Sequence, residues 1–120
     1  MTKITTIANI FIGLIILLHI YFQNLEMFFW DKPLGLRTFG LKQEFATASK
    51  PLAANQGLYN GFLAAGLILA LIGAPGTSFK VFFLSCVVVA GVFGGLTGNR
   101  KIILVQAIPG AIALVLVWLS

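Results

Sequence analysis

Charge is what this sequence has least of. Of its 120 residues, 9% are Asp, Glu, Lys or Arg, and 3 of them are acidic. A soluble domain carries about 25% charged residues, so this chain lacks the means to coat itself with water. Cysteine is almost missing too. Cys86 stands alone in SCVVVAG, which excludes an internal disulfide and a cysteine metal cluster and leaves it as a small apolar packing residue. No nucleophile motif, phosphate-binding loop or metal-ligand spacing is visible, and no cofactor is expected. Internal repeats are also lacking. No small-residue cleavage site of the A-x-A kind follows the first apolar run, which is longer than the core of a signal peptide. That segment is expected to be a retained helix.

What the chain has instead is apolar length, with 59% hydrophobic residues. A hydrocarbon core of about 30 Å takes about 20 helical residues to cross, and residues 5–29, 51–73, 79–98 and 102–119 form four such runs. The expected fold is all-α, a single domain over residues 1–120. It is a polytopic membrane protein built as a compact bundle of four transmembrane helices, with a short interfacial segment between the first two. Pro33 and Gly35 in DKPLG end the first helix, leaving Phe29 and Trp30 at the interface where aromatic rings collect. Residues 36–50, LRTFGLKQEFATASK, alternate basic and apolar side chains. They read as a short interfacial helix or lid with Leu36, Phe39, Leu41 and Phe45 toward lipid, an ordinary polar loop being the alternative. Pro51 suits the first turn of the second helix, and APGTS makes the next turn. Gly91/Gly95 and Gly94/Gly98 let another helix come close to the third, and Pro109 with Gly110 places a kink in the fourth.

The net charge of +5 is unevenly spread. Lys32, Arg37, Lys42 and Lys50 lie between the first two helices, Arg100 and Lys101 between the last two, and Lys3 and Lys80 on the opposite side. Six cations against two predict that both of those loops are cytoplasmic and both termini outside. The basic excess then reports topology and contact with anionic membrane lipids; nucleic acid binding has no support.

The polar residues inside the helices are few and patterned. His19, Gln23, Glu26 and Trp30 recur at i, i+4, i+7 and i+11 and form one narrow stripe on the first helix. Charged groups near the bilayer interior cost several kcal/mol and turn inward (about 2.5–3.5 kcal/mol on insertion scales). On the second helix Gln56 and Asn60 are one turn apart with Asn55 and Tyr59 beside them, and Gly57, Gly61 and Ala65 are expected on the opposite, packing face. With the orientation above, these groups and Gln106 of the fourth helix fall at one depth, in the cytoplasmic half. That layout predicts a polar pocket open to the cytoplasm and sealed on the far side. His19 and Glu26 are the candidates for acid/base chemistry, since a histidine and a carboxylate on one stripe can exchange a proton at near-neutral pH. Gln23, Trp30, Asn55, Gln56, Tyr59, Asn60 and Gln106 are the candidates for ligand binding. The competing reading is that the amides and Tyr59 form interhelical hydrogen bonds, worth about 0.6 kcal/mol each on average, and that Glu26 snorkels to the interface.

At HIYFQNLEMFFW and NQGLYNGFLAAGL the chain resembles the bacterial four-helix membrane family called domain of unknown function 1304. The resemblance rests on His19, Glu26, Met27 and Trp30, on the block from Asn55 through Gly66, on a Gly-rich third helix ending near Thr97, and on Gln106 before Pro109. It covers nearly the whole chain, implies a compact helical protein of the bacterial inner membrane, and brings no established activity. The leading functional expectation is a cytoplasm-facing pocket that binds, and acts by acid/base chemistry on, a small, partly apolar molecule. One alternative is a proton-coupled small-molecule transporter, a homodimer through Gly91, Gly95 and Gly98, although the strong charge bias is unlike the dual orientation of small multidrug transporters. The other is an accessory or structural membrane protein whose polar cluster only fixes packing.

Overall fold

The computed structural model describes residues 2–73 and 76–120, and among them there are helices and short connections but no strand. In chain order these are α1 (Lys3–Phe28), α2 (Pro33–Phe39), α3 (Gln43–Leu71), α4 (Thr77–Thr97), a π-helical segment (Ile103–Ala107) and α5 (Ile108–Leu119). The all-α expectation holds. On length and composition, two helices, α1 and α4, are able to cross a membrane, while the apolar stretch Ile103–Leu119 is shorter. The four-span reading is thus met only in part. The physical reason is plain in α3: it is 29 residues long, but Asn55, Gln56 and Asn60 dilute its apolar run.

Three local expectations change. The second long helix does not begin at Pro51; it begins at Gln43 and carries Pro51 inside. Proline there removes the bond to the Thr47 carbonyl, yet tertiary contacts hold the preceding two turns helical: Ala46 is buried, Trp30 Nε1 donates to Ser49 Oγ at 3.0 Å, and Lys50 pairs with Asp31. The interfacial segment resolves into α2, with Pro33 in its first turn, and the start of α3. Gly40 ends α2 in the left-handed region (φ 65°), its N–H donating to the Leu36 carbonyl, a conformation that glycine adopts without Cβ strain. Finally, the expected kink at Pro109 takes the form of the π segment just before it. Pro109 has no N–H and crowds the preceding turn, and the Ile108 N–H reaches back to the Ile103 carbonyl in π register. The expected APGTS turn includes Ala74 and Pro75, which lie outside the described residues.

The chain divides into two compact units, Met1–Ile16 with Leu63–Ser120, and Leu17–Phe62. In the first, Ala8, Ile12, Leu67, Leu84, Val87, Ala113 and Val117 are among the buried side chains. Its α4 approaches the chain's last helix closely: a Cβ on Gly91 would fall 2.5 Å from the Ala107 nitrogen, and Gly95 lies against Ile103. Gly91 and Gly95, expected at a dimer contact, are therefore occupied within the chain. Gly98 is exposed and caps α4, donating to the Gly94 carbonyl at 2.8 Å. Lys80 Nζ donates to Asn9 Oδ1 at 2.9 Å. The second unit holds the later part of α1, α2 and the earlier part of α3.

Candidate functional site

The stripe on α1 faces inward. His19 is buried at 1% exposure, Gln23, Glu26 and Trp30 are half-buried, and Tyr21 and Phe28 on other sides of the helix are exposed. Facing the stripe, α3 brings Gly57, Asn60 and Gly61. A Cβ on Gly57 would fall 2.7 Å from Met27 Cγ and 3.0 Å from the Gln23 carbonyl oxygen, and one on Gly61 would fall 2.7 Å from Gln23 Nε2. The two glycines let the α3 backbone approach α1 across a seam that any side chain would widen. In that seam Asn60 Nδ2 donates to Glu26 Oε1.

This corrects the face assignment on α3. Glycine and asparagine share the packing side, because 57, 60, 61 and 64 follow the helical period, and Asn60 and Ala64 are buried. Asn55, Gln56 and Tyr59 are exposed, and so is Ala65. Tyr59 stacks edge-on with Phe62 at 5.7 Å. Gln106 is half-buried in the π segment of the other unit. Of the nine residues singled out from the sequence, His19, Gln23, Glu26, Trp30 and Asn60 thus lie along the α1 stripe and its α3 seam.

Residues that sequence reasoning missed hold the end of this seam. The Trp30 ring lies 5.0 Å from that of Phe39, and Phe39 is 6.2 Å from Phe22, so Phe39 turns toward aromatic rings where exposure to lipid was expected. Gly35 makes this possible: a Cβ there would fall 2.8 Å from the Trp30 carbonyl oxygen and closer still to that of Phe29. Ser49 accepts from Trp30 and donates to the Phe45 carbonyl at 2.7 Å. Asp31 Oδ2 takes Lys50 Nζ at 3.1 Å, and its backbone carbonyl accepts from Gln43 Nε2. The Lys50 hydrogen bond holds the Asp31 carboxyl below its ordinary value of 3.8, against partial desolvation of the group. Its other oxygen, Oδ1, is buried without a partner among the described residues. Opposite charges at the two ends of the 31–50 segment were a signal in the sequence; nothing there marked Ser49, and Gly35 read as a helix breaker, not as the room that lets α2 close on Trp30.

Chemically, the seam offers a carboxylate with one oxygen held by an amide donor, a buried imidazole two turns away on the same helix, and a second amide between them. Among the described residues no group of His, Cys, Asp and Glu suits a metal ion.

The model of a family described as "Protein of unknown function (DUF1304)" matches residues 13–118. The chain is 33% identical over 114 residues to a protein of Lactococcus lactis subsp. lactis (strain IL1403) named "Uncharacterized protein YpaA", a match covering 92% of this chain and 96% of that one. No solved structure matches the chain. The match over residues 13–118 takes in the α1 stripe and all of the α3 seam, and the chain belongs to the DUF1304 family.

Proposed function

We propose that the protein is a multi-pass protein of the bacterial inner membrane, its four apolar stretches crossing the bilayer with both termini outside. In this reading the α1–α3 seam binds a small, partly apolar molecule arriving from the cytoplasmic side. One observation carries the binding part: Glu26 accepts from Asn60 inside a helix contact, with His19 fully buried on the same stripe. An ionisable side chain within a spanning helix costs about 2.5–3.5 kcal/mol at mid-membrane, less toward its ends. An interhelical hydrogen bond returns about 0.6 kcal/mol on average. Packing alone is a poor reason to keep such groups, and intramembrane ionisable residues mark functional sites by default. Here Glu26 and His19 exchange a proton with the bound molecule, Gln23 and Asn60 orient its polar head, and Trp30 lines its apolar part.

A packing role is the second reading. The observation favouring it is the close fit of Met27 and Gln23 against Gly57 and Gly61, the kind of small-residue seam that holds membrane helices together.

Mass spectrometry of small molecules co-purifying with the wild-type protein, with His19→Ala and with Glu26→Gln separates these readings. A species kept by wild type and lost from both folded variants supports the pocket. Identical content in all three sinks it. Proton-driven flux in vesicles, lost in Glu26→Gln, would then point to a transporter, and its absence to the packing role.

A further inference from the structure

The Leu17–Phe62 unit carries a second surface that the Glu26 seam does not use. Lys50 is spent on Asp31. Lys32, Arg37 and Lys42 are exposed, and the side chains of Arg37 and Lys42 have no hydrogen-bond or ion-pair partner among the described residues. Two carboxylates are set among them: Asp31, which pairs with Lys50 and also attracts Lys32, and Glu44, exposed in the first turn of α3. The packing of α2 fixes which way this surface faces. Phe39 and the buried Gly35 turn toward Trp30, which leaves Arg37 and Thr38 on the exposed side. Large apolar side chains flank the cations: Phe28, Phe29 and Phe45 are 60%, 43% and 58% exposed.

We propose that residues 28–45 form a docking surface for anionic phospholipid headgroups, with the phosphate and its net negative charge taken by Lys32, Arg37 and Lys42. Charge complementarity selects this occupant. Three cations exclude hydrocarbon as the sole neighbour, and three exposed phenylalanines are poorly suited to water. A boundary of acyl chains below and anionic phosphates above satisfies both. A second copy of the same surface would bring like charges together, and a zwitterionic lipid carries no net charge for the cations to select. The inference rests on the membrane reading above and goes beyond it by assigning the contact with anionic lipid, expected from the charge bias, to the surface formed by residues 28–45.

Trp30 supplies the probe, being half-buried and packed on Phe39 on the inner side of α2, behind this surface. The other tryptophan of the chain is Trp118, and Trp118→Phe leaves Trp30 as the sole reporter. Its fluorescence is measured in phosphatidylcholine vesicles containing increasing phosphatidylglycerol, with bromines high on the acyl chains of one lipid or the other. The expected result is stronger quenching by brominated phosphatidylglycerol than by brominated phosphatidylcholine at equal mole fraction, weakening with added salt. The preference should fall about fivefold for each cation removed, as in R37Q and K42Q. E44Q, which deletes an opposing carboxylate, should raise it. Equal quenching by the two lipids overturns the proposal while leaving the membrane reading intact, and so does a preference unchanged in folded R37Q/K42Q. Absence of quenching by either lipid overturns the membrane reading for this end of α1.

Discussion

Asn60 is the side chain on which the seam turns. Its amide donates to Glu26, and removing it leaves a carboxylate oxygen unsatisfied in a half-buried contact. Hydrogen bonds to charged groups are worth about 1.5–3 kcal/mol in soluble proteins, whereas interhelical bonds in membranes reach at most about 1.7 kcal/mol. Asn60→Leu should therefore cost about 1–2 kcal/mol, read as a lower unfolding midpoint in detergent. Glu26→Gln keeps an acceptor for Asn60 and should cost less; a larger loss in Glu26→Gln would show that the charge itself is needed. Asp31 gives a pH prediction of definite sign. Its carboxyl is held below 3.8 in the fold, so its pairing with Lys50 supports the 28–33 connection fully above that value. The support fades as pH falls through the lower, folded value. Amide protection at residues 29–32, taken relative to the intrinsic exchange rate at each pH, should fall on acidification in the wild type, and Asp31→Asn should be less protected at neutral pH with little further acid dependence. Because Lys50 is exposed, the effect should shrink in salt. The stripe His19, Gln23, Glu26 and Trp30 was legible from spacing alone, since 3.6-residue periodicity needs no knowledge of a partner. The Trp30–Ser49 bond was not, because it joins residues 19 apart through a fold-back that no local pattern encodes.

At the level of elements, the α1–α3 seam and the α4–α5 contact both rely on glycine, but what faces each glycine differs. At Gly57 an added Cβ meets Met27 Cγ, the Glu26 Cβ and the Gln23 backbone oxygen; at Gly61 it meets the end of the Gln23 side chain. A flexible amide can swing away, whereas backbone and Cβ atoms cannot. Gly57→Ala should thus destabilise by about 1–3 kcal/mol, as overpacking does, and Gly61→Ala by clearly less. Paired thermal melts decide this, and equal losses would mean that Gln23 is as rigidly held as the backbone. The same elements show where sequence patterns mislead. Pro51 reads as a helix start, but tertiary contacts from Trp30, Asp31 and the buried Ala46 extend α3 to Gln43. Glycines 57 and 61 read as a face opposite Asn60, whereas the close approach they permit is what lets Asn60 reach Glu26.

For the whole molecule the open quantity is the number of membrane crossings. α1 and α4 meet the length and apolarity required; in the four-span reading α3 and the Ile103–Leu119 stretch cross as well. Alkaline phosphatase, active only outside the cytoplasm, can be fused after Lys42, Gly76, Asn99 or Ser120. Activity after Gly76 and Ser120 alone is the expected pattern. No activity after Gly76 together with activity after Asn99 would remove α3 from the spanning set, and no activity after Ser120, with the other three fusions as expected, would remove the last helix.

Composition by itself determined that the chain is helical and rich in apolar stretches, and periodicity determined which side of α1 is polar, because both depend on residues near one another in the chain. Only the tertiary structure decided that Asn60 is the residue that meets Glu26 while Asn55, Gln56 and Tyr59 stay exposed, that Phe39 closes on Trp30, and that Gly91 and Gly95 are filled from within. Those outcomes depend on how near two backbones can come, and that distance is set by pairs of residues far apart in sequence.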